Sequence, residues 1–205
     1  MARKTKDEAE KTRHAILDAA ETVFYARGVS HTSLEEIAAE AGVTRGAVYW
    51  HFKDKPELCE AMAQRVFLPH EDMLAKLAAQ PSTAPLDDLK KSCTHALNLM
   101  ARDKRRRQVV SILLLRCEYV DDMLGIMKRN TACKQRMLAL SEKLFSRARD
   151  LNMLAPRWTP RQAAVATQAL MTGLIMGGLE QRQGFGFSTM GVACIEAFFD
   201  SLRVD

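Results

Sequence analysis

Residues 32–55, Thr-Ser-Leu-Glu-Glu-Ile-Ala-Ala-Glu-Ala-Gly-Val-Thr-Arg-Gly-Ala-Val-Tyr-Trp-His-Phe-Lys-Asp-Lys, read as two short helices joined by a glycine-centred turn. Thr32 or Ser33 caps the first helix, because Glu35 and Glu36 lie three residues after each. Gly42 permits the turn, and Thr44 caps a second helix running to about Trp50. Ala38, Ala41 and Val43 are small or apolar where the helices must approach closely. The second helix then gathers Thr44, Arg45, Tyr49, Trp50, His51, Lys53 and Lys55 in one short stretch. A pair of core helices has no use for so many cations and aromatics. A helix-turn-helix that lays its second helix in a DNA major groove does.

Outward from this stretch the chain reads as helix throughout, with no alternating strand pattern. A first helix starts near Thr5, which can form a capping box with Glu8. It continues through Ile16, Leu17, Ala20, Val23 and Phe24 at helical spacing, and Gly28 suits the left-handed residue that ends it. Asp54-Lys55-Pro56-Glu57 signals a fourth helix, which Pro69 is expected to kink or divide. Gln80-Pro-Ser-Thr-Ala-Pro85 is a clear break. Further helices follow at roughly 86–102, 104–119, 122–152, 160–183 and 188–203, one of them opened by Thr159-Pro160-x-Gln162. The expectation is an all-α chain of about nine helices without internal repeats.

With 205 residues, 47% of them hydrophobic, the chain is long enough for a real core. It lacks an apolar run long enough to span a membrane and opens without a secretory leader pattern, so no membrane partner is expected and a cytoplasmic location is. Cys59, Cys93, Cys117, Cys133 and Cys194 are odd in number and scattered, which argues against a disulfide framework or structural zinc. His14, His31, His70 and His95 have no metal-ligand spacing and read as surface or ordinary packing residues. No metal site, cofactor or catalytic motif is expected. The net charge of +5 does not locate a DNA surface: residues 1–60 hold nine Lys/Arg against eleven Asp/Glu. The argument rests instead on where the cations sit. The Arg102–Arg107 run reads as a solvated turn between helices.

The 32–55 stretch, preceded by Thr12-Arg13-x-x-Ile-Leu-Asp-Ala-Ala-x-x-Val-Phe-x-x-x-Gly28-Val29, resembles the DNA-binding domain of TetR-family repressors. The opening Met-Ala-Arg-Lys-Thr-Lys and the later segment Arg105-Arg-Arg-x-x-x-x-Ile112-Leu-Leu-Leu-Arg-Cys-Glu-Tyr-Val-Asp-Asp-Met123 narrow the resemblance to the AcrR/TtgR group, regulators of multidrug efflux pumps. The resemblance implies a DNA-binding domain over residues 1–54. It also implies a helical domain over 55–205 that binds a small molecule and forms a homodimer on a palindromic double-stranded operator.

Residue chemistry supports the DNA reading separately. Arg45 can pair bidentately with guanine, and Ala47 can meet a thymine methyl. Gly46 lets backbone approach DNA. Tyr49 and His51 suit phosphates, and Trp50 suits sugar or base-edge packing. Lys55 adds a cation at a helix start, Thr32 or Ser33 can reach the opposite groove wall, and Arg3, Lys4 and Lys6 can form an arm. Phe52 reads as core.

Downstream, Met62, Met73, Met123, Met127, Met137, Met171 and Met176 are adaptable side chains suited to varied ligands. Gln168 and Thr172, at i and i+4, form a polar pair that could orient a ligand or simply serve the helix. The resemblance carries a ligand pocket onto Val66, Ala96, Val110, Leu113, Leu114, Cys117, Met137, Gln168, Met171, Thr172 and Ile175. Val110, Leu114 and Thr172 stand where relatives can carry polar or charged groups, so small neutral hydrophobic effectors are expected. Gly173, Gly177 and Gly178, with the stripe Val192, Ile195, Phe198, Phe199 and Leu202, are expected to pair the last two helices with those of a second copy. Two other readings remain: a DNA-binding protein of this fold without an effector, in nucleoid or division control, and a helical enzyme or carrier.

Overall fold

The computed structural model describes residues 6–118, 124–180 and 185–204. Among them are nine α-helices and no strand. The helices are α1 (Lys6–Arg27), α2 (Leu34–Glu40), α3 (Arg45–His51), α4 (Lys55–Ala79), α5 (Pro85–Arg102), α6 (Lys104–Leu115), α7 (Leu124–Asp150), α8 (Pro160–Leu179) and α9 (Val192–Ser201), the last preceded by a π-helical turn at Phe187–Gly191. The all-α expectation holds. Thr5 and the Arg3–Lys4 arm lie outside the described residues, as do Met123 and the side chain of Met127. The chain divides into two compact units. One is Met1–Phe67 with Gln108–Asn130, the other Leu68–Arg107 with Thr131–Asp205.

In the first unit α1 packs on α2 and α3 through Ile16, Leu17, Ala20 and Phe24, each fully buried. Ile37 of α2 and Val48 of α3 are buried with them, as is Phe52, with the Arg13 guanidinium 5.1 Å from its ring centre. Gly28 ends α1 at φ 85°, a left-handed conformation that glycine adopts without the usual steric cost. Gly42 plays the same part after α2 at φ 65°, and the turn closes through Val43 N donating to Ala38 O at 3.0 Å.

The cap of α2 belongs to Ser33. Its hydroxyl accepts from Glu36 N at 3.2 Å, while Ser33 N donates to the Glu36 carboxylate at 2.8 Å. Thr32 is instead buried, its hydroxyl donating to Gly28 O at 2.8 Å. Asp54 accepts from Glu57 N at 2.9 Å, as its capping pattern requires. The Glu57 carboxylate takes Lys53 N, one residue earlier than a standard box.

A buried carboxylate ties α1 to α4. Glu21 is only 4% exposed, and Arg65 reaches it at 3.2 Å while also holding Asp18 at 2.9 Å. Pro69 does not end α4, which continues to Ala79. Proline removes one backbone donor, and burial of Leu74 and Ala78 beyond it offsets the loss.

α6 stops at Leu115, short of the expected 119, because the Arg116 carbonyl leaves the helix pattern and accepts from Val29 N at 3.0 Å. In the second unit α5 packs on α8, α9 and the π-helical turn. Thr159 and Gln162 form the expected box at the start of α8, with bonds of 3.2 and 3.0 Å. Arg107 donates to the Met100 and Ala101 carbonyls at the end of α5, and Arg106 N to Asp103 at 3.0 Å. These members of the basic run therefore shape the α5–α6 turn.

The α8 glycines correct an expectation. A Cβ on Gly178 would collide with the Phe187 ring and lie 2.9 Å from Phe185, and one on Gly177 would lie 3.8 Å from Phe185. Gly178 thus admits aromatic rings of its own chain, while Gly177 is buried in ordinary contact with one of them. Gly173 alone of the three has open space where a Cβ would stand.

Candidate functional site

α3 is a short helix whose inner side is anchored by Val48 and whose outer side is open. Thr44 caps it, its hydroxyl accepting from Ala47 N at 3.2 Å. Beyond the cap the exposed groups follow closely: the Arg45 side chain is 63% exposed, Tyr49 46% and Trp50 72%. A tryptophan so exposed gains nothing for the core and provides a large contact surface for a partner. His51 is half-buried, its ring edge-on to Trp50 with centres 4.4 Å apart. A Cβ on Gly46 would meet only the Thr44 hydroxyl, 4.0 Å away, so the backbone there is open to approach. Ala47 is half-buried.

Arg45 is held in a defined place. One guanidinium nitrogen lies 2.8 Å from the Glu35 carboxylate, another donates to the Tyr49 hydroxyl at 3.4 Å, and the group sits 5.3 Å from the Tyr49 ring centre. The Tyr49 hydrogen bond, then the Glu35 charge, push the guanidinium pKa further up. Glu36 is held below the ordinary carboxylate range by its Ser33 hydrogen bonds and by Arg27. Acidic side chains beside α3 are thus engaged with neighbours, which lets a surface with few net cations still present Arg45.

Ser33 is exposed beside this face, its hydroxyl donating to the Glu36 carboxylate at 3.1 Å, whereas Thr32 is buried. Lys55 is half-buried and donates to the Val29 and Ser30 carbonyls at 3.1 and 3.4 Å. An ammonium has three donors, so one is left for a phosphate.

The eleven ligand positions divide between the units. Val66, Val110, Leu113, Leu114 and Cys117 belong to the first, the other six to the second. Val66, Val110 and Leu113 are buried, and Leu114 is 36% exposed. Cys117, Ala96, Met137, Gln168, Met171 and Ile175 are half-buried, and Thr172 is exposed. Gln168 donates to Lys134 O at 2.9 Å, and Thr172 donates back to Gln168 O at 2.8 Å. The Thr172 hydroxyl therefore serves its own helix.

Two polar groups of the second unit stand out: His70, which in the sequence reads as a surface or packing residue, and Glu71, which the sequence does not single out. His70 is mostly buried, its Nδ1 without a hydrogen-bond partner among the described residues, and burial, with Arg106 and His95, lowers its pKa to about 4. Glu71 accepts from Cys133 at 3.3 Å and from Arg136, and stays below the ordinary range chiefly through that arginine. Neither stands in a motif; His70 of α4 meets groups of α5 and α6, and Glu71 of α4 meets α7, so only the fold brings these partners together.

Comparison with known proteins extends over both parts of the chain. Residues 16–62 match the family described as bacterial regulatory proteins, tetR family, and residues 84–204 match the MAATS-type transcriptional repressor C-terminal region. The chain is 38% identical to the HTH-type transcriptional repressor BepR of Brucella suis biovar 1 (strain 1330), over 98% of this chain and 96% of BepR. It superposes on NalD, the secondary repressor of the MexAB-OprM multidrug efflux pump in Pseudomonas aeruginosa, with TM-score 0.88 and 40% identity, covering 98% of this chain and all of NalD. It is also similar to SmeT of Stenotrophomonas maltophilia in its complex with triclosan, with TM-score 0.86 and 32% identity over 95% and 93% of the two chains. A helix-turn-helix with an exposed aromatic and cationic second helix, joined to a matching repressor C-terminal region, makes this chain a member of the TetR family of bacterial transcriptional regulators.

Proposed function

We propose that the chain is a homodimeric repressor of a multidrug efflux operon, released from a palindromic operator by small hydrophobic effectors. The observation that carries the DNA half is the exposure of Tyr49 and Trp50 beside Arg45 on a capped helix whose opposite side is core. Arg45 reads a guanine and Ala47 a thymine methyl, with backbone approach at Gly46. Thr44 stands with them at the helix end that meets base edges, while Tyr49, His51, Ser33 and the remaining Lys55 donor hold phosphates and Trp50 packs on sugar or base edges. Residues 1–54 carry this task, and residues 55–205 carry effector binding and dimerisation.

Likeness to NalD supports efflux control, and the triclosan complex of SmeT supports a neutral, apolar effector class. Burial of Val66, Val110 and Leu113 accords with an apolar site. The effector binds one arrangement of the dimer better than another, moves α4 and changes the spacing of the two recognition helices. The open face at Gly173 and exposed Val165 on α8 suit close approach of a second copy. Operator DNA as the partner puts the site of action in the cytoplasm, and membership of a family of transcriptional regulators supports a regulatory role, not an enzymatic one.

Selection of bound duplexes from a random pool tests the reading. Recovery of one palindrome whose half-sites are centred about one helical turn or a multiple apart is the expected result. Recovery of no preferred sequence overturns it. Many dispersed sites with no ligand effect would favour nucleoid or division control instead.

A further inference from the structure

Glu35 stands on α2, outside the cap that Ser33 makes with Glu36, yet it holds the side chain assigned above to base reading. An arginine on an open helix has a long, rotamer-rich stem and pairs with any phosphate it meets. Here Glu35 takes one nitrogen at 2.8 Å, the Tyr49 hydroxyl another at 3.4 Å, and the Tyr49 ring lies 5.3 Å from the guanidinium. Contacts from α2 and from α3 itself define the plane of the guanidinium. A guanidinium has five donors, so this arrangement leaves donors for a base edge.

We infer that Glu35 is a positioning residue for Arg45 and sets the discrimination between operator and unrelated DNA. This rests on the reading of α3 as a recognition helix. The carboxylate acts in two ways. It presents Arg45 in one orientation, which favours bidentate pairing with guanine over single contacts to phosphate. Its charge also repels phosphates of every duplex alike, which lowers all affinities together and leaves the discrimination itself to the orientation of Arg45. The pair is 63% and 47% exposed, so it contributes little to folding. Discrimination and stability are therefore separable at this position.

The experiment compares the unsubstituted protein, Glu35→Gln, Glu35→Asp, Arg45→Ala and the Glu35→Gln/Arg45→Ala double variant. Each is titrated against the selected palindrome and a scrambled duplex at one salt concentration, and each is passed through the random-pool selection. Glu35→Gln should bind the scrambled duplex about threefold or more tightly and lower the palindrome-to-scramble ratio about tenfold, with the thermal midpoint unchanged. It should lose base preference at the same base pair that Arg45→Ala loses, and the double variant should lose no more. Glu35→Asp should recover part of the ratio. An unchanged ratio, or loss of preference at a base pair that Arg45→Ala leaves intact, overturns the assignment of Glu35. If the unsubstituted protein selects no sequence, the recognition-helix reading fails and this inference fails with it.

Discussion

Replacing Arg65 by alanine should destabilise the folded chain by about 3–5 kcal/mol, the range seen when one partner of a buried ion pair is removed. Glu21 is 4% exposed, and the Arg65 side chain that reaches it at 3.2 Å is itself only 19% exposed. The other contacts of Arg65, to Asp18 at 2.9 Å and to His14 Nδ1 at 2.6 Å, involve side chains 56% and 53% exposed and together add at most about 1 kcal/mol. The larger part of the loss is therefore that of the Arg65 contact to the buried Glu21 carboxylate. At about 2–4 °C per kcal/mol for a chain of this size, the midpoint should fall by roughly 6–20 °C. Urea unfolding of the full chain followed by circular dichroism measures it. The double variant Glu21→Gln/Arg65→Met removes both charges and should return to within about 2 kcal/mol of the starting protein. A loss below about 1 kcal/mol for Arg65→Ala, or a double variant as damaged as the single one, would refute the reasoning.

Thr32→Val should cost about 1 kcal/mol through the lost bond to Gly28 O, yet leave affinity for the selected duplex unchanged, as titration at a temperature where both proteins are folded would register. Gly178→Ala should destabilise by roughly 1–2 kcal/mol, because crowding of the buried Phe187 ring outweighs the gain in helix propensity. Gly173→Ala meets no side chain among the described residues, so it should stabilise the monomer by about 0.5–1 kcal/mol while weakening the dimer, which sedimentation at several concentrations resolves. His70 is neutral in the folded chain down to about pH 4, whereas the unfolded chain takes up its proton near 6.5. Stability present above pH 6.5 is thus lost as pH falls towards 4, by about 2 kcal/mol at pH 5. Asparagine at position 70 should flatten that limb of the urea midpoint against pH.

Local signals were the readable part of this molecule. The caps at Ser33, Thr44 and Thr159 and the left-handed turns at Gly28 and Gly42 each depend on residues within a few positions of one another, and each forms as its pattern implies. Thr32 and Ser33 are equivalent as a pattern. Only the return of the chain past Gly28 O decides between them. Pro69 carries a local penalty that a helix buried on both sides of it can absorb. Gly178 looks like any small residue on a helix until the π-helical turn brings Phe187 against it. The Glu35–Arg45 pair spans the helix-turn-helix, and His70 acquires its perturbation only from groups that the fold assembles around it.

Release of DNA tests the central claim most directly. Fluorescence anisotropy of the labelled palindrome, saturated with protein, should fall to the free-duplex value as a neutral hydrophobic compound such as triclosan is added, and a cationic amphiphile of similar size should need a higher concentration. Anisotropy that stays at the bound value with every such compound would contradict a ligand-released repressor, and earlier release by the cation would contradict the neutral apolar site.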